Sequence, residues 1–216
     1  MRVVIAGGHG QIALRLERLL AARGDEAVGL VRNPDHVADL EALGAQAVVL
    51  DLEKSDVDTV ADVLRGADAA VFSAGAGPGS GTDRKDTVDR GAAALFAEAA
   101  QLAGVRRHIQ VGSMGADDPD NPNFPPDFAI YLRAKKAAED DLKARDLDWT
   151  ILRPGALTND PGTGRVLIAA KTGRGSVPRD DVAAVLAGLL GASASVGRTL
   201  ELISGEASVD EAISAL

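Results

Sequence analysis

The chain alternates short, almost wholly apolar segments with longer segments in which apolar residues recur every three or four positions. The runs RVVIA and AAVF are nearly continuous in apolar residues, which is typical of parallel strands covered on both faces. The longer segments have the periodicity of amphipathic helices. Strands that alternate with helices form βαβ units. The pattern therefore predicts an α/β fold with a mostly parallel sheet and helices on both faces.

The pattern predicts eight strands and seven helices, each with definite bounds. The predicted strands are Arg2–Ala6, Glu26–Val31, Gln46–Leu50, Ala69–Ser73, Arg107–Gly112, Asp148–Arg153, Val166–Ala169 and Thr199–Ile203. The predicted helices are Gln11–Ala22, His36–Leu43, Val57–Arg65, Thr82–Ala103, Phe128–Arg145, Arg179–Gly191 and Val209–Leu216. Glycines that follow four of these helices fit the left-handed residue of a helix C-terminus, at Gly24, Gly44, Gly66 and Gly104.

The composition indicates which kinds of partner and metal site to expect, but it does not predict the fold. The chain has 216 residues, a net charge of -9 and no cysteine. An acidic surface argues against nucleic acid or an anionic membrane as the main partner, and the absence of cysteine excludes thiolate metal sites. The chain opens directly on an apolar strand with no leader, so we expect a cytoplasmic protein whose partner is a small molecule. Both a monomer and a homodimer are compatible with the sequence, and no spacing of His, Asp and Glu predicts a metal.

One predicted loop between a strand and a helix has an unusual composition. Residues Asp117–Asp127 read DDPDNPNFPPD, and their prolines and aspartates are expected to exclude helix and central strand. The segment lies between a predicted strand and the next predicted helix. Two interpretations stay open, a lid over a site or a rigid surface connector.

A glycine-rich turn, GGHGQIA, joins the first strand to the first helix. It fits G-x-G-x-x-A through Gly8, Gly10 and Ala13, and the looser G-x-x-G-x-x-A through Gly7, Gly10 and Ala13. In both readings small residues let the backbone approach a pyrophosphate, whose charge meets the N–H groups that open the helix. This strand–turn–helix context predicts dinucleotide binding. The predicted contact residues here are Gly7, Gly8, His9, Gly10, Gln11 and Ile12.

The following strand ends bear on which dinucleotide binds. An NAD site usually has an acidic residue at the end of the second strand, but the sequence there is GLVRNP and offers Arg32. A guanidinium suits a 2′-phosphate, so the sequence predicts NADP, with NAD less favoured. Further cofactor contacts are predicted at the ends of the third and fourth strands, from Asp51, Leu52, Ser73, Ala74 and Gly75.

The only tyrosine of the chain, Tyr131, stands four residues before Lys135 in the segment YLRAK. On a helix this spacing puts both side chains on one face. An ammonium beside a phenol favours the phenolate, so the pair is a candidate acid/base couple.

Taken together, these motifs resemble the atypical short-chain dehydrogenases/reductases, in the compact branch related to biliverdin reductase B and NmrA-like proteins. The resemblance covers the whole length and rests on seven segments in order: GGHGQIA, VRNP, DL, SAGAG, VGSMGA, YLRAKKAAEDDL and DWTILRPG. It implies a three-layer, doubly wound Rossmann fold that forms one domain over residues 1–216. Residues 154–216 would then contribute the substrate side.

The resemblance also implies catalytic roles. Tyr131 would exchange the proton with a carbonyl or alcohol oxygen, Lys135 would hold the nicotinamide ribose, and Ser113 would polarise the substrate oxygen. Pro154 would shape the wall near the nicotinamide. One departure is Asp89, which stands where the family has an asparagine. That difference puts an asparagine-based proton relay in doubt.

The predicted function is therefore an NADP(H)-dependent oxidoreductase that acts on a small carbonyl or alcohol. An NADP(H)-sensing regulator with little turnover, or an isomerase or epimerase with bound cofactor, remain alternatives. The short carboxy-terminal part argues against a nucleotide-sugar epimerase. Three further interpretations concern other polar residues. Arg133, Lys136 and Glu139 to Asp141 are interpreted as a solvated helix face, His36 as a surface residue and His108 as structural.

Overall fold

The computed structural model describes residues 1–75 and 85–216. Its central sheet has nine strands in the order β11-β8-β10-β6-β5-β4-β1-β2-β3 over the described part of the chain. Most neighbours are parallel, while β8 runs antiparallel to β10 and β11. The strands of this sheet are β1 (Arg2–Ala6), β2 (Glu26–Val31), β3 (Gln46–Val49), β4 (Ala69–Phe72), β5 (Arg107–Val111), β6 (Asp148–Pro154), β8 (Arg165–Ala169), β10 (Arg198–Ser204) and β11 (Ala207–Ser208). A separate parallel pair joins β7 (Ala156–Thr158) to β9 (Ser176–Pro178).

Helices cover both faces of the sheet. They are α1 (Gln11–Ala22), α2 (Val37–Glu41), α3 (Val57–Leu64), α4 (Ala93–Leu102), α5 (Pro126–Lys143), α6 (Arg179–Leu189) and α7 (Val209–Ser214). Short 3-10 turns occupy Pro34–His36 and Ser193–Ser195, and a π-helical stretch, Lys85–Ala92, leads into α4. The apolar side chains of α1, α2, α6 and α7 form the core on one face of the sheet. Those of α3 and α4, with Ala138 of α5, form the core on the other.

This architecture confirms the predicted three-layer, doubly wound α/β fold. Each predicted strand is present within one residue at either end, because continuous apolar runs fix a buried strand. The four predicted cap glycines all have φ between +75° and +82°. The first residues of the predicted helix Thr82–Ala103 lie outside the described residues.

One boundary prediction is wrong. Residues Asp117–Asp127 were expected to contain no helix, but α5 begins at Pro126 and takes Asp127 into its first turn. Proline is tolerated at the first helical position, where its missing N–H would have no partner, and an aspartate there complements the helix dipole. The strands β7, β9 and β11 were not predicted, because two or three residues carry no usable periodicity.

Across the part of the chain that the structure describes, no helix is both long and apolar enough to cross a membrane.

Candidate functional site

The glycine-rich turn between β1 and α1 is held by close backbone packing. Gly7 has φ +80°, and a Cβ there would lie 2.6 Å from the Cα of Ala74. The Gly10 N–H donates to the carbonyl of Gly7 at 2.7 Å, which closes the turn. Gly8 faces the other way: its N–H donates to Leu30, and a Cβ on it would lie 2.8 Å from Gly29 of β2. Gly7 and Gly10 are therefore the glycines on the open side, which favours the G-x-x-G-x-x-A reading.

The turn fits the pyrophosphate of a dinucleotide. Gly10 is the N-cap of α1 and has no side chain to cap the helix, and no acidic residue lies in the first turn. The opening N–H groups of α1 thus stay available to an anion. A side chain at Gly7 would clash with Ala74 and displace the turn that holds them in place. These residues would hold the phosphates of the cofactor.

A cavity of about 280 Å³ opens at this turn, along the carboxyl ends of β1, β2, β3 and β4. Ligands of open α/β sheets bind at this end of the strands. Its lining includes nine of the predicted cofactor contacts: Gly7, His9, Gly10, Arg32, Asp51, Leu52, Ser73, Ala74 and Gly75. The other predicted contacts, Gly8, Gln11, Ile12, Lys135 and Pro154, lie outside that lining, and so do Ser113 and Tyr131.

The far end of the cavity carries charge of both signs. Arg32 Nη1 lies 3.5 Å from Glu53 Oε2, and the Arg32 side chain is 56% exposed. The other Glu53 oxygen accepts a hydrogen bond from the Thr87 hydroxyl at 2.7 Å. An arginine that suits a phosphate and a carboxylate that suits ribose hydroxyls therefore stand side by side.

Two histidines meet beside the glycine-rich turn. The rings of His9 and His36 stack with centroids 3.6 Å apart and an interplanar angle of 11°. His9 Nε2 lies 2.8 Å from Asp39 Oδ2. His36 lines the cavity, so its interpretation as a plain surface residue was incomplete. No local sequence pattern predicts this stack, because it joins side chains from two turns that are far apart in the sequence.

The predicted acid/base couple lies at one end of a buried ion pair. Lys135 Nζ is 3.2 Å from Asp89 Oδ1, donates to the carbonyl of Val111 at 3.2 Å, and stands 5.7 Å from the centre of the Tyr131 ring. The side chains of Lys135 and Asp89 are 5% and 1% exposed. Burial alone would lower the pKa of Lys135, but the nearby Tyr131 and Asp89 outweigh it and raise that pKa above its ordinary value. Lys135 is thus held as a cation.

Asp89 connects this pair to the cavity. A Cβ on Gly75 would lie 3.3 Å from Asp89 Oδ1, and Gly75 lines the cavity. Val88, the residue before Asp89, lines it as well. The Lys135–Asp89 pair therefore adjoins the end of the cavity at which β4 terminates, and the Tyr131 ring lies 5.7 Å from the ammonium of that pair.

The third predicted catalytic residue, Ser113, follows β5. Its hydroxyl donates to the neighbouring carbonyl of Met114 at 3.2 Å and is partly buried. The N–H of Met114 points to the carbonyl of Pro154 at 3.4 Å. The structure thus places the turn after β5 against the end of β6, while the catalytic role of Ser113 stays a prediction.

An ionic network that is buried at Arg153 and Glu139 and exposed at Asp117 and Lys171 lies two helical turns beyond Tyr131. Arg153 of β6, 2% exposed, donates to Glu139 of α5 at 2.5 Å and to both carboxylate oxygens of Asp117 at 2.7 and 2.8 Å. Lys171 donates to Asp117 at 3.0 Å and to Glu201 at 3.2 Å. The hydrogen bonds from Arg153 hold the pKa of Asp117 well below its usual range. This network ties the start of the loop after β5 to the helix that carries Tyr131.

The interpretation of Glu139 as part of a solvated helix face is therefore wrong, because Glu139 is fully buried. Its neighbours on the exposed side, Lys136 and Asp140, pair with each other at 2.5 Å as expected of a helix surface. The positions 131, 135 and 139 share one face of α5. That spacing is the signal by which the sequence could have placed Glu139 with the site.

A further buried carboxyl lies behind the glycine-rich turn. Glu17 of α1 is fully buried, and neither of its oxygens has a hydrogen-bond partner within the described residues. A Cβ on Gly29 would lie 2.4 Å from Glu17 Oε1. Burial raises the pKa of Glu17 to about 8, so the group is protonated at neutral pH.

His108 is structural in the sense expected. It is fully buried on β5, its ring lies 5.8 Å from that of Phe96, and burial lowers its pKa to about 3. Over residues 1–75 and 85–216, no group of three or more His, Cys, Asp or Glu side chains is arranged to hold a metal ion.

Known proteins resemble this chain over its full length. The Bacillus subtilis protein YhfK, named as an uncharacterized sugar epimerase, is 38% identical, with all of both chains aligned. The solved structure of a Bacillus halodurans protein assigned by name as an NAD-dependent epimerase/dehydratase has a TM-score of 0.93 at 35% identity, covering 100% of each chain. ChuY from Escherichia coli O157:H7, described as an anaerobilin reductase, has a TM-score of 0.80 at 26% identity, covering 96% of this chain and 99% of its own.

A family model described as NAD(P)H-binding matches residues 7–193, which begin at the first glycine of the cavity. This match and the solved relatives confirm the resemblance to atypical short-chain dehydrogenases/reductases. The chain belongs to the NAD(P)H-binding family.

Proposed function

We propose that this protein is an NADP(H)-dependent oxidoreductase that exchanges hydride with a small carbonyl or alcohol, with Tyr131 as the proton donor and acceptor. One observation carries the proposal: the buried Lys135–Asp89 pair lies beside Tyr131 and also adjoins Gly75 of the dinucleotide-type cavity. An acid/base group and a cofactor site thus meet at one edge of the sheet.

The reaction would be the reduction of a carbonyl or its reverse. NADPH, when bound, supplies the hydride that forms the new C–H bond. The electron pair of the C=O bond moves to oxygen, which takes the proton of the Tyr131 phenol, and solvent then returns a proton to the phenolate. Lys135 stabilises that phenolate by its fixed positive charge. Ser113 would donate a hydrogen bond to the substrate oxygen.

Arg32 supports NADP over NAD, because it lies in the cavity at the end of β2 and its guanidinium suits a 2′-phosphate. Glu53 would turn toward Thr87 when the phosphate takes its place at Arg32. We further propose that residues 154–216 supply the substrate side of the site, since β6 ends beside the turn that carries Ser113.

The names of relatives favour two classes of activity. A relative described as a reductase supports net oxidation and reduction. The relatives named as epimerases favour a second candidate, an isomerase that uses the same cavity and the same Tyr131 but returns the hydride to its substrate. The two candidates differ in whether cofactor is consumed.

The test asks whether NADPH is consumed and whether its hydride appears in the product. Purified protein is incubated with NADPH deuterated at its hydride-donating carbon and with benzaldehyde, cyclohexanone and menadione as probes. The proposal expects loss of the NADPH absorbance band and, with the aldehyde or ketone, one deuterium in each alcohol formed. Cofactor that co-purifies, exchanges no label and is not consumed would support the isomerase, and ligand binding without any conversion would support a regulator.

A further inference from the structure

Aromatic side chains are scarce in this protein, and half of them gather at one place. The chain has four phenylalanines, one tryptophan and one tyrosine. Phe72 and Phe96 are fully buried in the core between the sheet and α4. Phe124, Phe128 and Tyr131 instead form a row at the amino-terminal end of α5. A chain this poor in aromatic residues therefore has two phenylalanines in a row with Tyr131, its candidate proton donor.

The rings in this row have defined geometry. Phe128 and Tyr131 lie nearly face to face, with centroids 5.7 Å apart and an interplanar angle of 28°. Phe124 meets Phe128 edge-on, at 5.2 Å and 83°. Both are favoured arrangements of aromatic pairs. Phe128 remains 37% exposed, so part of its surface is open to a ligand.

The row also reaches the turn that carries Ser113. A Cβ on Gly115 would lie 3.1 Å from Cζ of Phe124, so this ring packs directly on the Gly115 backbone. Gly115 has φ +89° and stands two residues after Ser113. The row therefore runs from Tyr131 to the turn that follows Ser113, and we call Phe124 and Phe128 the aromatic shelf.

We propose that the aromatic shelf binds the flat, conjugated ring system of the substrate, so that the preferred substrates are carbonyl compounds attached to fused or extended aromatic rings. The inference rests on the proposed function, because it uses Tyr131 as the proton donor. A planar ring gains stacking energy on Phe128 that a puckered ring of the same size does not. The contact between Phe128 and Tyr131 places the shelf beside the proton donor, so a ring system bound there can carry a carbonyl group to the Tyr131 phenol.

Charges around the shelf favour an uncharged ligand. The loop that carries Phe124 also carries Asp117 and Asp120, which pair with Arg153 and Arg133 respectively. Two guanidinium groups near the shelf are thus occupied by carboxylates of the loop itself. An anionic substrate that bound Arg153 would have to displace Asp117 from a guanidinium that is only 2% exposed, at the cost of a formed ion pair.

The experiment compares two ketones with the same carbon skeleton, methyl naphthyl ketone, whose rings are flat and aromatic, and methyl decalinyl ketone, whose rings are saturated and puckered. Binding of each to the full chain saturated with NADP⁺ is measured by calorimetry. The inference expects the naphthyl compound to bind about two- to tenfold more tightly, as one aromatic pair would provide. In Phe128→Leu, which keeps an apolar side chain, that preference should vanish, and in Phe128→Tyr, which keeps a ring, it should persist.

Equal affinity for the two ketones, or a preference that survives Phe128→Leu with NADP⁺ binding unchanged, would overturn the inference. Turnover of the same ketones separates it from the proposed function. Reduction of both ketones without naphthyl preference would retain the oxidoreductase and remove the shelf. Naphthyl preference in binding with no reduction of any carbonyl would retain the shelf and contradict the oxidoreductase.

Discussion

Lys135 Nζ lies 3.2 Å from Asp89 Oδ1 in a pair that solvent barely reaches. The same ammonium stands 5.7 Å from the Tyr131 ring, so one buried cation serves both a carboxylate and the candidate proton donor. The carboxylate offsets part of the field that Lys135 exerts on the phenol. Asp89 is therefore expected to tune the acid/base chemistry through Lys135, as a positioning residue.

Replacing Asp89 by asparagine keeps the size of the side chain and a hydrogen-bond acceptor for Lys135. The lost negative charge leaves the ammonium uncompensated, which favours the phenolate of Tyr131. Alcohol oxidation needs that phenolate as a base, so its pH–rate profile should move to lower pH in D89N. An unmoved profile, or one moved to higher pH, would show that Asp89 does not act through Lys135.

The choice of cofactor should depend on Arg32 and Glu53 in opposite directions. Arg32→Gln removes the cation next to the predicted 2′-phosphate and should weaken NADPH binding about tenfold or more, at the 1.5–3 kcal/mol typical of charge-assisted hydrogen bonds, with little change for NADH. Glu53→Gln removes the carboxylate that would repel that phosphate and should tighten NADPH binding. Fluorescence titration with both nucleotides measures this, with Arg65→Gln as a control remote from the cavity. Equal losses for NADPH and NADH in R32Q would contradict the assignment.

The two neighbouring acids Glu139 and Asp140 offer a matched comparison on α5. Glu139→Gln leaves Arg153 with one buried partner fewer and should cost about 3–5 kcal/mol of unfolding free energy. Asp140→Asn disturbs only the surface pair with Lys136 and should cost about 1 kcal/mol or less. Urea unfolding of both variants measures the difference. Similar costs would show that the Arg153 network does not support the fold.

Glu17 gives the stability a definite pH dependence. Its pKa is raised to about 8 in the folded protein from 4.5, so the unfolded chain loses the proton first. Stability should therefore fall as pH rises from about 4.5 to about 8, by up to about 5 kcal/mol, and then level off. The glutamine in Glu17→Gln cannot ionise, so the stability of this variant should not fall over that pH range. The variant should therefore become more stable relative to the wild type at alkaline pH. Exposed Glu41→Gln serves as the control, and an unchanged slope in E17Q would contradict the buried-acid account.

Some of the site could be predicted from sequence because its parts are local. The glycine-rich turn, Arg32 and the strand ends each follow a buried strand, and parallel strands bring their carboxyl ends to one edge of the sheet. The choice between Gly7 and Gly8 could not be made, because it depends on which glycine packs on Gly29 of another strand. The four-residue spacing of Tyr131 and Lys135 likewise predicts that both side chains lie on one face of a helix.

The polar partners of the site could not be predicted, because they join elements far apart in sequence. Glu139 sits in the charged run EDD and looks exposed until β6 places Arg153 against it. The sequence marks Asp89 only as a departure from the family's asparagine, and the packing of the π-helical stretch on α5 is what brings it to Lys135. A charged residue is rarely buried without a partner, and its partner is set by topology.

The most direct test of the account is the activity of Tyr131→Phe, which removes one hydroxyl and keeps the ring that stacks on Phe128. NADPH oxidation with a reducible carbonyl is compared in wild type and Y131F, beside NADPH binding by titration. The account predicts unchanged NADPH binding and a loss of turnover of about a hundredfold or more, the contribution of a positioned proton donor. Turnover in Y131F equal to that of the wild type would contradict the assignment of Tyr131 as the proton donor.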